Sequence, residues 1–196
     1  MLDIVGVASV GQAFYTNRPT VAQYADNDPT LPPLNSVAYI KNYYLGNGPQ
    51  SAYTAGLNFH PKRSWYVNLN FNYFDHNYVS INPDRRISQV IQNVSSTTLL
   101  NQVFDQEELP SAFTVDLRAG YTVQLSRRSK AIDRFSHRAV MIFSGNINNL
   151  LNNTNIINSG YEQLRFDYQN NNPAVYANKY LYGYGINYAV QVALRF

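Results

Sequence analysis

The sequence contains no cysteine, which excludes disulfide staples and thiolate metal sites. It is poor in charge. Asp, Glu, Lys and Arg together make up 14% of residues, against roughly a quarter in ordinary soluble domains. It also lacks any apolar run near the roughly 20 residues that a membrane-spanning helix needs, and mean hydropathy is −0.33, so a helical membrane protein is excluded. The first residues, Met1 to Gln12, have no basic stretch followed by a long apolar one, so they do not read as a signal peptide. For an exported protein the expectation is that the signal was removed, or that the chain is the tail of a longer one.

What replaces the charge is uncharged polar side chains and rings: 17 Tyr and 10 Phe, 14% aromatic in all. These residues alternate. Tyr182, Tyr184, Ile186, Tyr188, Val190, Val192, Leu194 and Phe196 are separated by Gly183, Gly185, Asn187, Ala189, Gln191, Ala193 and Arg195. Phe113, Val115, Leu117, Ala119, Tyr121, Val123 and Leu125 alternate with Ala112, Thr114, Asp116, Arg118, Gly120, Thr122 and Gln124. Shorter runs of the same kind cover 65–73, 53–59 and about 139–149. Period two is the mark of a strand with two unlike faces.

A soluble β-sandwich with one wet face would also alternate. Its strands are typically 5–6 residues, whereas a tilted strand crossing a bilayer takes about 9–11. Its wet face would also carry Lys and Glu rather than Asn, Gly, Thr and Gln. The expectation is therefore an all-β chain forming an antiparallel transmembrane β-barrel segment of about six strands. Connections alternate in length: 61–64 is short, 80–111 long, 126–138 moderate and 152–180 long. Taking the final strand to end at the periplasmic side places both long loops outside. Residues 4–16 read as a first strand with poorly separated faces, and 18–50 as an outer excursion with a small hairpin near Val37–Tyr44. The inner turns hold Lys62, Arg63, Arg127, Arg128, Lys130, Arg134 and Arg138 against Asp133. The outer segments carry an excess of acids, among them Asp105, Glu107, Glu108 and Glu162. A basic turn beside membrane strands belongs with lipid headgroups, and no nucleic-acid partner is expected.

Several segments resemble the last third of the barrels of TonB-dependent receptors. They are Gly48-Pro49-Gln50-Ser51-Ala52-Tyr53-Thr54 leading into a strand, Asn82-Pro83-Asp84-Arg85-Arg86 after a Tyr-rich strand, and Leu109-Pro110-Ser111-Ala112-Phe113 opening the next. Asn146-Ile147-Asn148-Asn149-Leu150 resembles the family's penultimate-strand motif, and the last strand ends on an aromatic residue. The resemblance covers most of residues 1–196 and implies one domain: the C-terminal part of a larger barrel of about 22 strands in the outer membrane of a Gram-negative bacterium. It implies TonB-energised ligand import and no enzyme activity or cofactor. The implied partners are the remaining strands and a plug (in the same or a separate chain), the TonB complex reached through that plug, the barrel-assembly machinery, a surface lipoprotein and outer-membrane lipid. Tyr188, Val190, Val192, Leu194 and Phe196 would form the barrel-assembly signal.

Asp116, Arg118 and Arg195 fall on the inward, lumen-facing side of the pattern, as ligand or plug contacts or as members of a satisfied polar network. The tyrosines of the outer loops, Tyr78, Tyr161, Tyr168, Tyr176 and Tyr180, either stack on a ligand or pack the loops. Two other function classes stand beside the receptor. One is a passive pore closed by several copies of the chain. The other is an outer-membrane hydrolase built on Asp75-His76, whose side chains are expected to point to opposite faces of a strand and so to miss each other. His60, His76 and His137 have no metal-ligand spacing, and the transported ligand is not legible.

Overall fold

The computed structural model describes residues 1–24, 30–62, 64–94, 96–125, 139–167, 169–170 and 172–195. Phe196, Tyr168, His137, Arg63 and the 126–138 turn lie outside them. The chain is mostly β, in the order β1 (Leu2–Val10), β2 (Thr20–Gln23), β3 (Leu34–Val37), β4 (Ser51–Phe59), β5 (Trp65–Asp75) and β6 (Asn77–Tyr78). A 3-10 turn (Pro83–Arg86), α1 (Ser88–Asn93) and α2 (Thr97–Phe104) follow. After them come β7 (Glu108–Leu109), β8 (Ala112–Gln124), β9 (Val140–Asn148), β10 (Ile157–Tyr161), a second 3-10 turn (Pro173–Tyr176), β11 (Lys179–Tyr182) and β12 (Asn187–Arg195). Six of the strands form one antiparallel sheet in the order β1-β4-β5-β8-β9-β12.

The register of that sheet sorts the alternation into two surfaces. Ile4, Leu57, Leu69, Leu117, Ile147 and Tyr188 lie side by side across all six strands. One residue along, Asp3, Asn58, Asn68, Arg118, Asn146 and Ala189 form the matching row of the other face. The two surfaces are thus largely apolar and polar across the sheet, with Phe74, Val140 and Ile142 on the polar face and the weakest separation at β1. There Val5 and Val7 share the polar face with Asp3 and Ser9, the poor separation legible in its sequence.

Three of the connections between sheet strands, 11–50, 76–111 and 149–186, all leave from one end. The short turn at 60–64 lies at the opposite end. All the buried apolar residues except Ala139, namely Ala38, Ile40, Val79, Ile87, Val90, Val103, Leu109, Ile156 and Phe166, belong to the long connections. Ile87, Val90, Val103 and Phe166 form one cluster. The core sits above the sheet's end rather than against its apolar face.

Three expectations need correction. The hairpin of the first connection pairs Thr20–Gln23 with Leu34–Val37, earlier in the chain than 37–44. The 80–111 segment is not simply a polar loop: its α-helices supply Val90 and Val103 to the core. The last alternating run is two strands, since the chain leaves the pattern at Gly183–Ile186. Here Gly183 N–H donates to Ile156 O at 2.8 Å and Ile186 N–H to Asn152 Oδ1 at 2.9 Å. A Cβ at Gly185 would come within 2.6 Å of that same Asn152 oxygen. Glycine lets the loop amide approach, and that approach interrupts the strand.

Inside the sheet, Gly120 is explained by Tyr66, its cross-strand partner on the polar face. A Cβ at Gly120 would overlap the Tyr66 ring, so ring and glycine interlock and fix the β5–β8 register. Gly120→Val is expected to expel the ring and cost about 1–3 kcal/mol, the range for overpacking. A Gly120→Val/Tyr66→Ala double variant should recover part of that loss in urea unfolding midpoints. Equal midpoints for the single variant and the parent would remove the interlock from the account.

Candidate functional site

The polar face carries a hydrogen-bonded ladder. Thr54 Oγ1 donates to Asn72 Oδ1 at 2.9 Å, and Asn72 Nδ2 donates to Thr114 Oγ1 at 3.1 Å and to Asp116 Oδ2 at 2.8 Å. Asp116 Oδ1 accepts from the Asn149 N–H at 2.9 Å. Of the three expected inward residues, Asp116 is therefore a junction of a satisfied network spanning β4, β5, β8 and the end of β9. Arg118 and Arg195 share its face by register, opposite Asn68 and Val140 respectively. Both are exposed and neither makes an ion pair among the described residues.

The apolar face has no protein cover among the described residues. Leu57, Phe59, Trp65, Leu69, Phe71, Phe113 and Phe143 are all exposed by more than a third. Tyr188 and Val190 reach 80% and 79%, because β12 pairs only with β9 and its other edge is open. Tyr188, Val190, Val192 and Leu194, the described part of the expected assembly signal, form one side of that edge strand. The opposite edge, β1, is also open.

The long connections are knotted together by Asn82-Pro83-Asp84-Arg85-Arg86. Asn82 caps the 3-10 turn by accepting the Asp84 N–H at 3.1 Å, with Pro83 supplying the φ that such a turn needs. The turn sends two arginines in different directions. Arg86 is fully buried and grips Glu162 with both ends of its fork, Nη1 to Oε2 at 2.6 Å and Nη2 to Oε1 at 2.7 Å. Its guanidinium carbon lies 4.7 Å from the centre of the Tyr43 ring, and the Tyr43 hydroxyl donates to Phe104 O. Arg85 donates to three carbonyls, Gln163 O, Arg165 O and Tyr176 O, at 2.9–3.1 Å. Burial alone would lower the Arg86 pKa. The hydrogen bonds and charge of Glu162 outweigh it and hold the guanidinium above its ordinary value. Burial is also the main reason the Tyr43 hydroxyl is raised, against the lowering influence of Arg86.

A second set of ties joins the first connection to the second. Gln106 accepts the Tyr44 N–H at 2.8 Å and donates back to Tyr44 O at 2.8 Å, while Tyr44 stacks on Tyr78 with centroids 4.3 Å apart. A Cβ at Gly46 would run into the Tyr78 carbonyl and Ser80, so only glycine lets these two segments meet. Asn149, where β9 ends, adopts a left-handed φ of 53°, a conformation asparagine tolerates. Its side chain donates to Asn153 O at 2.8 Å and Tyr184 O at 3.1 Å, stitching both limbs of the third connection. That is the structural work of the Asn-Ile-Asn-Asn-Leu motif, and its amide geometry could not be read from the sequence.

A polar cleft of about 420 Å³ opens between the second and third connections, bordered by Arg85, Gln102, Asp105, Glu107, Asn178 and Tyr180. Tyr180 donates to Glu107 at 2.8 Å and Asn178 Nδ2 to Glu107 Oε2 at 2.7 Å. Desolvation, then that carboxylate, pushes the Tyr180 pKa up to about 12. Tyr78 and Tyr180 thus bind the connections to one another, whereas Tyr161 is exposed. No group of three or more His, Asp or Glu able to hold a metal is present among the described residues.

Asp75 and His76 form no hydrogen bond, as expected, although their side chains lie closer than opposite strand faces would place them. His76 lies just past β5 with φ 53°, which turns its ring back until Nδ1 is 3.6 Å from Asp75 Oδ2. That is ion-pair range but too long for a hydrogen bond. Ser51 stands opposite Asp75 in the register and lines a cavity of about 150 Å³ with His76. No hydrogen bond joins Ser51 to His76, so a nucleophile–base contact is not formed.

Neither protein-family models, nor curated proteins, nor solved structures give a match to the chain.

Removing one partner of the Arg86–Glu162 pair leaves the other charge buried, at a cost of about 3–5 kcal/mol. Glu162→Gln and Arg86→Ala are both expected to expose the 149–186 connection to limited proteolysis while the sheet strands stay protected. Arg86→Lys should rescue little, because an ammonium cannot reproduce the fork. Unchanged cleavage kinetics in all three variants would show that the knot does not hold the connections.

Proposed function

We propose that the chain is part of the wall of an outer-membrane β-barrel, with its apolar face in lipid, and that the barrel belongs to a TonB-dependent receptor. The observation that carries the membrane reading is the apolar face itself. It extends across six strands and stays exposed while the chain's buried core lies elsewhere. A soluble protein rarely leaves so large a contiguous apolar surface bare. Strand lengths of 9, 9, 11, 13, 9 and 9 residues match a tilted crossing of about 9–11 residues.

Aromatic placement supports the same reading. Tyr53, Tyr73 and Phe113 form one cross-strand row, and Trp65, Tyr121 and Phe143 form another nearer the turn end. Along β5 these rows are eight residues apart, roughly 27 Å at about 3.4 Å per residue. A tilt of about 35–45° shortens this to roughly 20 Å, close to the apolar band of about 25 Å that aromatic girdles flank. On this reading the open edges of β1 and β12 pair with further strands, because unpaired backbone in hydrocarbon is costly. The receptor assignment rests on the motif resemblance. Two of those motifs, Asn82–Arg86 and Asn146–Leu150, hold the loop layer together.

Charge scanning tests the faces. Leu69→Arg is expected to cost roughly 2–4 kcal/mol of membrane folding, while Asn70→Arg, on the other surface, should cost far less. Equal penalties would overturn the assignment of lipid to the apolar side. Reconstitution of the pure chain into liposomes tests the rest. Silence without added barrel strands is expected, and discrete channel conductance from the chain alone would favour a passive multi-copy pore.

A further inference from the structure

The apolar face is not uniform. Near its turn end it holds a groove of about 260 Å³, lined by Trp65, Ala119, Tyr121, Phe143, Gly145 and Val190. The Ala119–Gly145 cross-strand pair makes its floor. One wall is the aromatic row in which Trp65 and Tyr121 lie 4.6 Å apart, with Phe143 paired to Tyr121. Val190 closes it on the β12 side.

Gly145 has no conformational reason to be glycine. Its φ is not in the left-handed region, and a Cβ there would meet only the Ala189 carbonyl at 3.7 Å, ordinary contact. The register on both sides of Gly145 runs without a bulge. A strand glycine with no bulge and no crowding gives up sheet stability, and such positions often mark the approach of a ligand.

The charge beside the groove indicates which ligand. Trp65 N–H donates to Lys62 O at 3.1 Å, so the groove opens next to the turn that carries Lys62. Lys62 is exposed and has no ion pair among the described residues. Apolar walls beside an exposed lysine match one amphiphile: an acyl chain beneath an anionic phosphate headgroup.

We infer that this groove is a seat for an anionic phospholipid of the leaflet at the turn end, its acyl chain over Ala119 and Gly145 and its phosphate at Lys62. The inference rests on the membrane reading and narrows it from a lipid-facing surface to a selective site. A passing annular lipid would show no preference for headgroup.

Trp65 is the single tryptophan of the chain and lines the groove, so it reports occupancy directly. The chain is reconstituted with its barrel, any tryptophans of partner strands replaced by phenylalanine. The vesicles contain brominated phosphatidylglycerol or brominated phosphatidylcholine, and folding is verified by heat-modifiable gel mobility. Brominated phosphatidylglycerol is expected to quench Trp65 at a mole fraction roughly five-fold lower, the factor that one lysine at an anionic surface supplies. Lys62→Gln should bring the two lipids together. Ala119→Leu/Gly145→Leu fills the groove and should do the same. Equal quenching by both lipids in the parent would overturn the seat and leave the membrane reading intact. Quenching by neither lipid would overturn both.

Discussion

Strand register is the constraint on which everything else depends. With side chains alternating at period two, a one-residue slip would move Leu57, Leu69, Leu117 and Ile147 to the polar surface and Asn58, Asn68 and Asn146 to the apolar one. The apolar pattern opposes that exchange, but a two-residue slip keeps the faces, and to it apolar contacts are nearly indifferent. Registration comes from directional contacts on the other face: the Tyr66–Gly120 interlock and the Thr54–Asn72–Thr114–Asp116 ladder. The face that carries less apolar surface thus decides the position of the face that carries more.

The connections obey the opposite logic. They bury a compact apolar cluster and, in the same layer, a fully buried arginine. A buried ion pair is a weak source of net stability, since desolvation offsets most of its attraction. What it supplies is selectivity among arrangements: the Arg86 fork accepts one carboxylate in one orientation, and Glu162 alone provides it. The main-chain bridges Ala38–Ile87 and Ser80–Tyr161 run between the same segments. The three excursions therefore make a single layer, not three independent loops.

The sheet was largely legible in the sequence because alternation reports two environments directly. The β4, β5, β8 and β9 strands lie where the alternating runs place them, and Asp116, Arg118 and Arg195 share one face of the sheet. The failures have a common cause. Gly183–Ile186 continue the alternation but are taken from the strand by Asn152 and Ile156, contacts that no periodicity encodes. Asp75 and His76 escape the strand rule because a single left-handed residue lies at the boundary. The loop layer was almost invisible in the sequence. Its apolar residues are spread over three separate segments with no period to mark them, and Arg86 looks like a surface charge until Glu162 is placed.

Arg86 and Glu162 are 76 positions apart along the chain, and that separation bears on cooperativity. Until the third connection arrives, the guanidinium would sit against the Tyr43 ring and the Asn82 and Asp105 carbonyls with no counter-charge, which disfavours closing that layer early. Closure of the second connection thus waits on the third, and the first is joined to the second through Tyr44 and Gln106. Such coupling makes one cooperative unit of segments that are distant in sequence. Its opening would be all-or-none, with amide protons from residues as distant as Tyr44 and Asn82 becoming exchangeable in the same event.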